Sequence, residues 1–343
     1  MYILTSNVTI NRVRQNDSIT FTSVNDVNIQ KSIHSYTDTA TLKIPATARL
    51  QTSNTLQALP LLSQISVSSE TAKIFSQGDK VTIQLGYDGQ LQTEFVGFIK
   101  AVGFSTPCQI DCVGYVWQLS HTQKFTKYWK SVSLKQVLQL IIAGTDIKLD
   151  PNISDFQLSS FKIDEKTGAE VLDLLKDQHV TTYFLGNMLC ATIKDVYQTN
   201  DMVTYKLGWN TLEDDNLKFT GLQDVNVKVK VTYKDAVGKE HQVTKQYGTG
   251  LQSSQVTKSL RLTNVPDDAT IDAKAENFAL KNIFHGYKGK ITAFLTPYSL
   301  HGWATNILDD KYPERQGKYL IESVEIQFGQ KGARRIVELG KAL

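Results

Sequence analysis

The chain has 343 residues, 41% hydrophobic and 21% charged, with 37 Lys and Arg against 34 Asp and Glu for a net charge of +3. That length exceeds the usual single-domain range and can supply two or three cores. The near balance of charge excludes the overall basic footprint of a dedicated nucleic-acid binder, and three cysteines in the whole chain exclude a secreted disulfide scaffold.

Residues Met1 to Gln15 alternate like a strand and lack the apolar run of a signal peptide. No later stretch reaches membrane length, so the expectation is a soluble protein. Four short strands are predicted before Ala46: Tyr2 to Ile10, Ile19 to Val24, Val27 to His34 and Thr39 to Ile44, with Asn16-Asp17 and Asn25-Asp26 as turn pairs. Ala46 to Ser76, rich in Ser, Gln, Thr and Ala, reads as a long loop with one helical turn, more a contact surface than a coil.

The stretch from Gly78 to Trp117 organises the first half. Val81, Ile83 and Leu85 alternate with Lys80, Thr82 and Gln84, the period of a half-buried strand. Asp88-Gly89 turns the chain. A second strand is predicted from Leu91 to Phe104, with Phe95, Gly97, Ile99 and Ala101 on one side and Gly97 and Gly103 as bulges or kinks. Pro107 opens a third strand carrying Ile110 and Cys112. The expectation is a curved β-meander.

The period then changes. Lys124 to Lys130 (KFTKYWK) interleaves basic and aromatic residues in the manner of a base-stacking segment, but it directly precedes a helix and is read as a packed linker. Ser131 to Gly144 places Leu134, Val137, Leu138 and Ile141 at helical spacing, with Ser131 or Ser133 as N-cap. A short strand from Leu158 to Ile163 precedes a second helix, Asp164 to His179, capped by Asp164 and packed through Ala169, Leu172 and Leu175. A hairpin follows around Gly186-Asn187, joining Thr182–Phe184 to Met188–Ile193.

Strands return at Met202: Leu217 to Tyr233, Lys239 to Tyr247, Val256 to Leu262 and Lys288 to Leu295, with a third helix from Ala269 to Phe284 through Ala275, Phe278, Ala279 and Ile283. The C-terminus repeats the earlier grammar: a short strand (Trp303 to Leu308), a polar loop (Asp309 to Gln316), a long glycine-started strand (Gly317 to Phe328), a turn and a last strand (Ala333 to Leu339). Such a repeat of pattern implies duplication. The expected fold is therefore mainly β with an α+β insertion: barrel-like modules at 1–122 and 201–343, and a small α/β domain at 123–200.

No set of residues has the spacing of a catalytic or metal site. The six histidines (His34, His121, His179, His241, His285, His301) are scattered, without H-E-x-x-H or Cys/His pairs at zinc spacing. No P-loop, G-x-S-x-G or G-x-G-x-x-G occurs. Glu213-Asp214-Asp215 and Asp309-Asp310 have the composition of paired acids, yet both lie in polar runs and read as solvated turns. Cys108, Cys112 and Cys190 read as small buried thiols, Arg334 and Arg335 as a charged pair at a rim. Catalytic, cofactor and metal residues are all expected to be none.

The order of elements is informative. A module with GDKVTIQLGY, FVGFIKAV and IDCVGY, a unit with SLKQVLQLII and AEVLDLLKDQHVTTYF, and a module ending GKYLIESVEIQFGQKGARRIVEL together resemble the baseplate hub proteins of contractile phage tails. That group includes tail proteins of the late-control D type and the hub part of type VI secretion spikes. The resemblance implies two tube domains per subunit, a homotrimer whose six similar domains ring a channel, a tail tube protein and a central spike protein as partners, no enzymatic activity, and a place in the virion after synthesis in the host cytoplasm. Longer members append a spike or a lysozyme-like domain; this chain ends at Leu343, so a separate spike polypeptide is expected. The Ala46 to Ser76 loop and the long hairpins are the expected assembly regions. The competing readings are a multidomain adhesin or carbohydrate-binding protein, in which Trp117, Trp129, Trp209 and Trp303 stack sugars instead of packing, and a cell-wall hydrolase.

Overall fold

The computed structural model of the chain describes residues 3–45, 48–49, 66–67, 74–153, 155–192, 201–213, 216–220, 226–234, 239–247, 255–262, 268–280, 286–313 and 316–343. Strands dominate them, as the period-2 patterns predict. The chain divides into two compact units, the first comprising 1–30, 37–117 and 325–335, the second comprising 31–36, 118–324 and 336–343.

The first unit is a run of antiparallel strands: β1 (Leu4–Arg12), β2 (Asp17–Phe21), β3 (Asp26–Ser32), β4 (Thr39–Ile44), the two-residue pair β5 (Ala48–Arg49) and β6 (Ser66–Val67), then β7 (Lys80–Tyr87), β8 (Gln90–Val102) and β9 (Cys108–Val113). Apart from β5 and β6, which pair with each other, they join edge to edge in the order β3-β4-β9-β8-β7-β1-β2. Val8 and Ile10, Val27 and Ile29, Leu42 and Ile44, and Val81, Ile83 and Leu85 alternate into the core and are fully buried. The β7–β8 hairpin closes on Asp88 (φ 52°) and Gly89 (φ 83°), two residues with the positive φ that a two-residue turn needs.

In β8 the bulges do not fall at the glycines. Ile83 pairs with Phe95 and Gln84 with Thr93, so Glu94 is the extra residue; on the other side Ile99 pairs with Cys112 and Ala101 with Asp111, which leaves out Lys100. Each bulge flips the alternation: Glu94 and Phe95 are both buried, while Lys100 and Ala101 are both exposed, contrary to the expected place of Ala101 beside Phe95 and Ile99. Gly97 instead serves close approach, since a Cβ there would lie 2.3 Å from the Val113 carbonyl oxygen and 2.6 Å from the Phe95 ring.

The second unit begins with α1 (Val116–Ser120) and a ribbon of β10 (Phe125–Ser133) paired with β12 (Gln157–Lys166). Between them lie α2 (Leu134–Ile142) and β11 (Lys148–Leu149); α3 (Gly168–Asp177), β13 (Thr181–Leu185) and β14 (Met188–Thr192) follow. Ser133 caps α2 through a box with Gln136, and Leu134, Val137, Leu138 and Ile141 are its buried face. The KFTKYWK segment is thus a strand with Lys127, Tyr128 and Lys130 exposed, not a packed linker. The second helix starts four residues later than Asp164 predicts, because β12 keeps its pairing through Lys166 and because Thr167 and Glu170 form the capping box. Val171, Leu172 and Leu175 are its buried apolar side chains.

Further on come β15 (Met202–Lys206), β16 (Thr211–Glu213), β17 (Lys218–Thr220), β18 (Asn226–Lys234), β19 (Glu240–Tyr247), β20 (Gln255–Leu262), α4 (Asp268–Leu280), β21 (Gly286–Ala293), β22 (Ala304–Leu308), β23 (Gly317–Gly329) and β24 (Gly332–Ala342). β15 runs parallel to β22, and β22 antiparallel to β23. β19, β18 and β20 form a separate sheet covered by α4, whose Ile271, Ala275 and Ala279 meet Val227, Val229, Val231, Leu260 and Leu262. Ile283 and His285 lie outside the described residues, and Gly286 opens β21.

Adding a methyl group at Gly97 forces β8 and β9 apart. Gly97→Ala is expected to destabilise the protein by about 1–3 kcal/mol, read as a lower urea midpoint at unchanged slope; Gly89→Ala, where a Cβ meets nothing within 4 Å but φ is positive, reports the backbone effect separately.

Candidate functional site

Among the described residues, several with catalytic potential make structural contacts. Asp309 is not a solvated turn acid: it is buried, accepts the Tyr287 hydroxyl at 2.9 Å through Oδ2, and accepts the backbone N–H groups of Lys311 (2.8 Å) and Tyr312 (3.1 Å) through Oδ1. Its neighbour Asp310 is exposed and lies 2.8 Å from the Lys206 ammonium. Glu213 is exposed, and Asp214 and Asp215 lie outside the described residues.

The described histidines are spread over the structure, except that His34 and His179 line one cleft. His34 lies 3.0 Å from the Glu322 carboxylate, His241 stacks on Tyr233 with ring centroids 5.3 Å apart, and His179 follows α3 with φ 60°. His301 is buried, and its Nε2–H donates to the Phe184 carbonyl at 2.7 Å, which fixes the neutral tautomer because a carbonyl can only accept. Burial holds its pKa down at about 3. Among the described residues no group of three His, Cys, Asp or Glu side chains is placed to hold a metal ion. Cys108, Cys112 and Cys190 are buried and free; burial pushes the Cys112 thiol up to about 12 and raises Cys108 and Cys190 as well.

Arg335 departs most from its expected place. It is fully buried instead of lying at a rim, and its Nη2 donates to Glu94 Oε1 at 2.5 Å, with Glu94 itself 1% exposed. The strand carries a readable signal for this: Ala333, Arg335, Val337 and Leu339 share one alternate register, and all four are buried. Arg334, on the other register, is half-buried and bonds the Ala333 carbonyl.

Each unit has a cleft among the described residues. That of the first unit, about 460 Å³, runs beside the β23–β24 turn between Lys43, Asp26, Asn28 and Arg334. That of the second, about 420 Å³, is lined by His34, Tyr36, Lys176 and His179; Tyr36 donates to Asp173 at 2.6 Å, and burial with that carboxylate raises its pKa. Of the tryptophans, Trp129 stacks on Phe161 at 6.3 Å, Trp303 meets Tyr298 edge-on at 5.8 Å and Trp117 covers Gly78, whereas Trp209 is 79% exposed.

The architecture has its likenesses among solved structures. The structure of a tail protein from Neisseria meningitidis MC58 superposes with a TM-score of 0.66 at 9% identity, over 97% of this chain and 96% of that one. The chain has the fold of a phage tail protein. A 43 kDa tail protein of prophage MuSo2 from Shewanella oneidensis matches at a TM-score of 0.59 and 13% identity, over 99% and 98% of the two chains. The E. coli c3393 protein, a component of the type VI secretion system described as structurally similar to T4 bacteriophage tail proteins gp27 and gp5, matches at 0.53 and 8% identity over 94% and 74%. No protein-family model and no curated protein sequence matches this chain.

Most of the Ala46 to Ser76 segment expected to mediate assembly lies outside the described residues. Sequence reasoning missed the Glu94–Arg335 pair.

Two outcomes follow from these environments. Arg335→Met strands the Glu94 carboxylate in the core and is expected to cost about 3–5 kcal/mol in urea unfolding, while the double substitution with Glu94→Leu removes both charges and recovers most of it. For His301 the folded pKa of about 3 lies below the unfolded value near 6.5. The unfolded chain therefore gains a proton first, and stability present above pH 6.5 is lost as pH falls towards 3. Unfolding free energies at pH 7.5, 5.5 and 4.5 should fall less steeply in His301→Gln than in the parent.

Proposed function

We propose that the chain is the structural hub of a contractile phage tail or phage-like particle, a trimeric ring joining the tail tube to a central spike, without catalytic activity of its own. The observation that carries this reading is the match in fold to tail proteins over essentially the whole chain. The E. coli type VI secretion component, described as similar to T4 gp27 and gp5, points to the same class of assembly. In this reading 1–122 and 201–343 are the two tube-type segments and 123–200 the small α/β segment, with the hairpin tip at 325–335 grouped with the first.

Internal repetition supports it. β7–β8–β9 and β22–β23–β24 are both runs of three consecutive strands that neighbour each other, and the middle strand is 13 residues long in each. Three protomers with two equivalent modules each present six similar surfaces to a sixfold tube and three to a threefold spike. Such an adaptor works through symmetry and shape. Its partners are the tube and spike proteins, its contacts the 46–76 segment, the long hairpins and open strand edges such as β2, and its place the virion, after synthesis in the host cytoplasm.

The test is negative-stain electron microscopy with mass by light scattering on the same sample. The expected particle is a ring with a central hole and pseudo-sixfold outline at three times the chain mass. Monomers that stay monomeric when mixed with the tube and spike proteins of the same particle would remove the reading.

A further inference from the structure

The sheet of β18, β19 and β20 has two unlike faces. One is apolar and covered by α4. On the other, period 2 along β18 sets Lys228, Lys230 and Lys234 opposite Gln246, Thr244 and Glu240 of β19. Register with β20 adds Thr257 and Ser259 beside the first two lysines and Arg261 beside Thr232. Every described side chain on this face is exposed or half-buried.

Its charge is one-sided. Four cations face the single carboxylate of Glu240, which lies 3.8 Å from Arg261. Among the described residues Lys228, Lys230 and Lys234 have no ion-pair partner, whereas Lys245 on the helix side is taken by Asp272 at 2.5 Å. Two-residue spacing puts the first two ammonium groups about 7 Å apart along the strand, with the third about 14 Å further on. The near-neutral total of the chain conceals this local row.

The chemistry selects the partner. The face has no aromatic or aliphatic side chain to anchor a protein interface and no ring on which an unpaired base could stack. It offers ammonium groups flanked by hydroxyls and amides, the donors that contact phosphate and sugar without reading sequence. We propose that this face is a sequence-independent docking surface for the phosphate backbone of duplex nucleic acid.

The test is fluorescence anisotropy of the full chain with a labelled 20-base-pair duplex of arbitrary sequence at 50 and 200 mM salt. Neutralising three to four phosphates predicts a loss of affinity of roughly 40- to 150-fold between the two salts. Lys228→Gln/Lys230→Gln/Lys234→Gln should weaken binding at 50 mM at least tenfold, and Lys230→Gln alone measurably, while the charge-matched Lys100→Gln/Lys127→Gln/Lys130→Gln should not. Circular dichroism checks that each variant is folded. The proposal is overturned by absence of binding at 50 mM salt or by equal effects of the two triple variants. It is overturned equally by tighter binding of a single strand, or by polyglutamate competing as well as unlabelled duplex, which would indicate an acidic protein partner instead.

Discussion

The first unit depends on a buried charge pair. Glu94 and Arg335 are separated by 241 residues, yet they meet in a core where neither side chain reaches solvent. A charge taken out of water is tolerated only with its partner in place, so the bulge that turns Glu94 inward and the strand that brings Arg335 must form together. Register along β8 is thereby tied to the C-terminal hairpin. This unit cannot complete its core from the N-terminal strands alone, a non-local arrangement of the kind that makes β proteins slow to assemble.

The other polar groups with catalytic potential also serve geometry. Asp309 gathers a tyrosine hydroxyl and two backbone N–H groups, Glu170 closes a capping box, and His301 holds a carbonyl while neutral. Each satisfies a backbone or hydroxyl group of a turn, a cap or the core. The fold is shared with tail proteins at 9% and 13% identity. So low an identity is compatible with a common fold because a curved sheet asks for alternation and turn chemistry, which many sequences supply.

That same alternation separates the roles of the two faces of the β18 sheet. The valines of VKVKV meet α4 and the intervening lysines face water. The basic row and the apolar core are therefore one pattern read on opposite sides of a strand, which is why a near-zero net charge says little about local potential.

The sequence by itself determined the element types, the β7–β8 and β13–β14 turns, the face of α2 and the order of strands at both ends, because these follow from local periodicity and from residues that accept positive φ. It placed the bulges at Gly97 and Gly103, began the second helix at Asp164 and put Arg335 at a rim. The tertiary structure decided otherwise, and the physical reasons are specific. A bulge is set by the register of two neighbouring strands, here at Glu94 and Lys100. The helix start was settled by continued pairing of β12 to Lys166. The burial of Arg335 required a carboxylate from a strand far away in the chain, and no local window of sequence contains that partner.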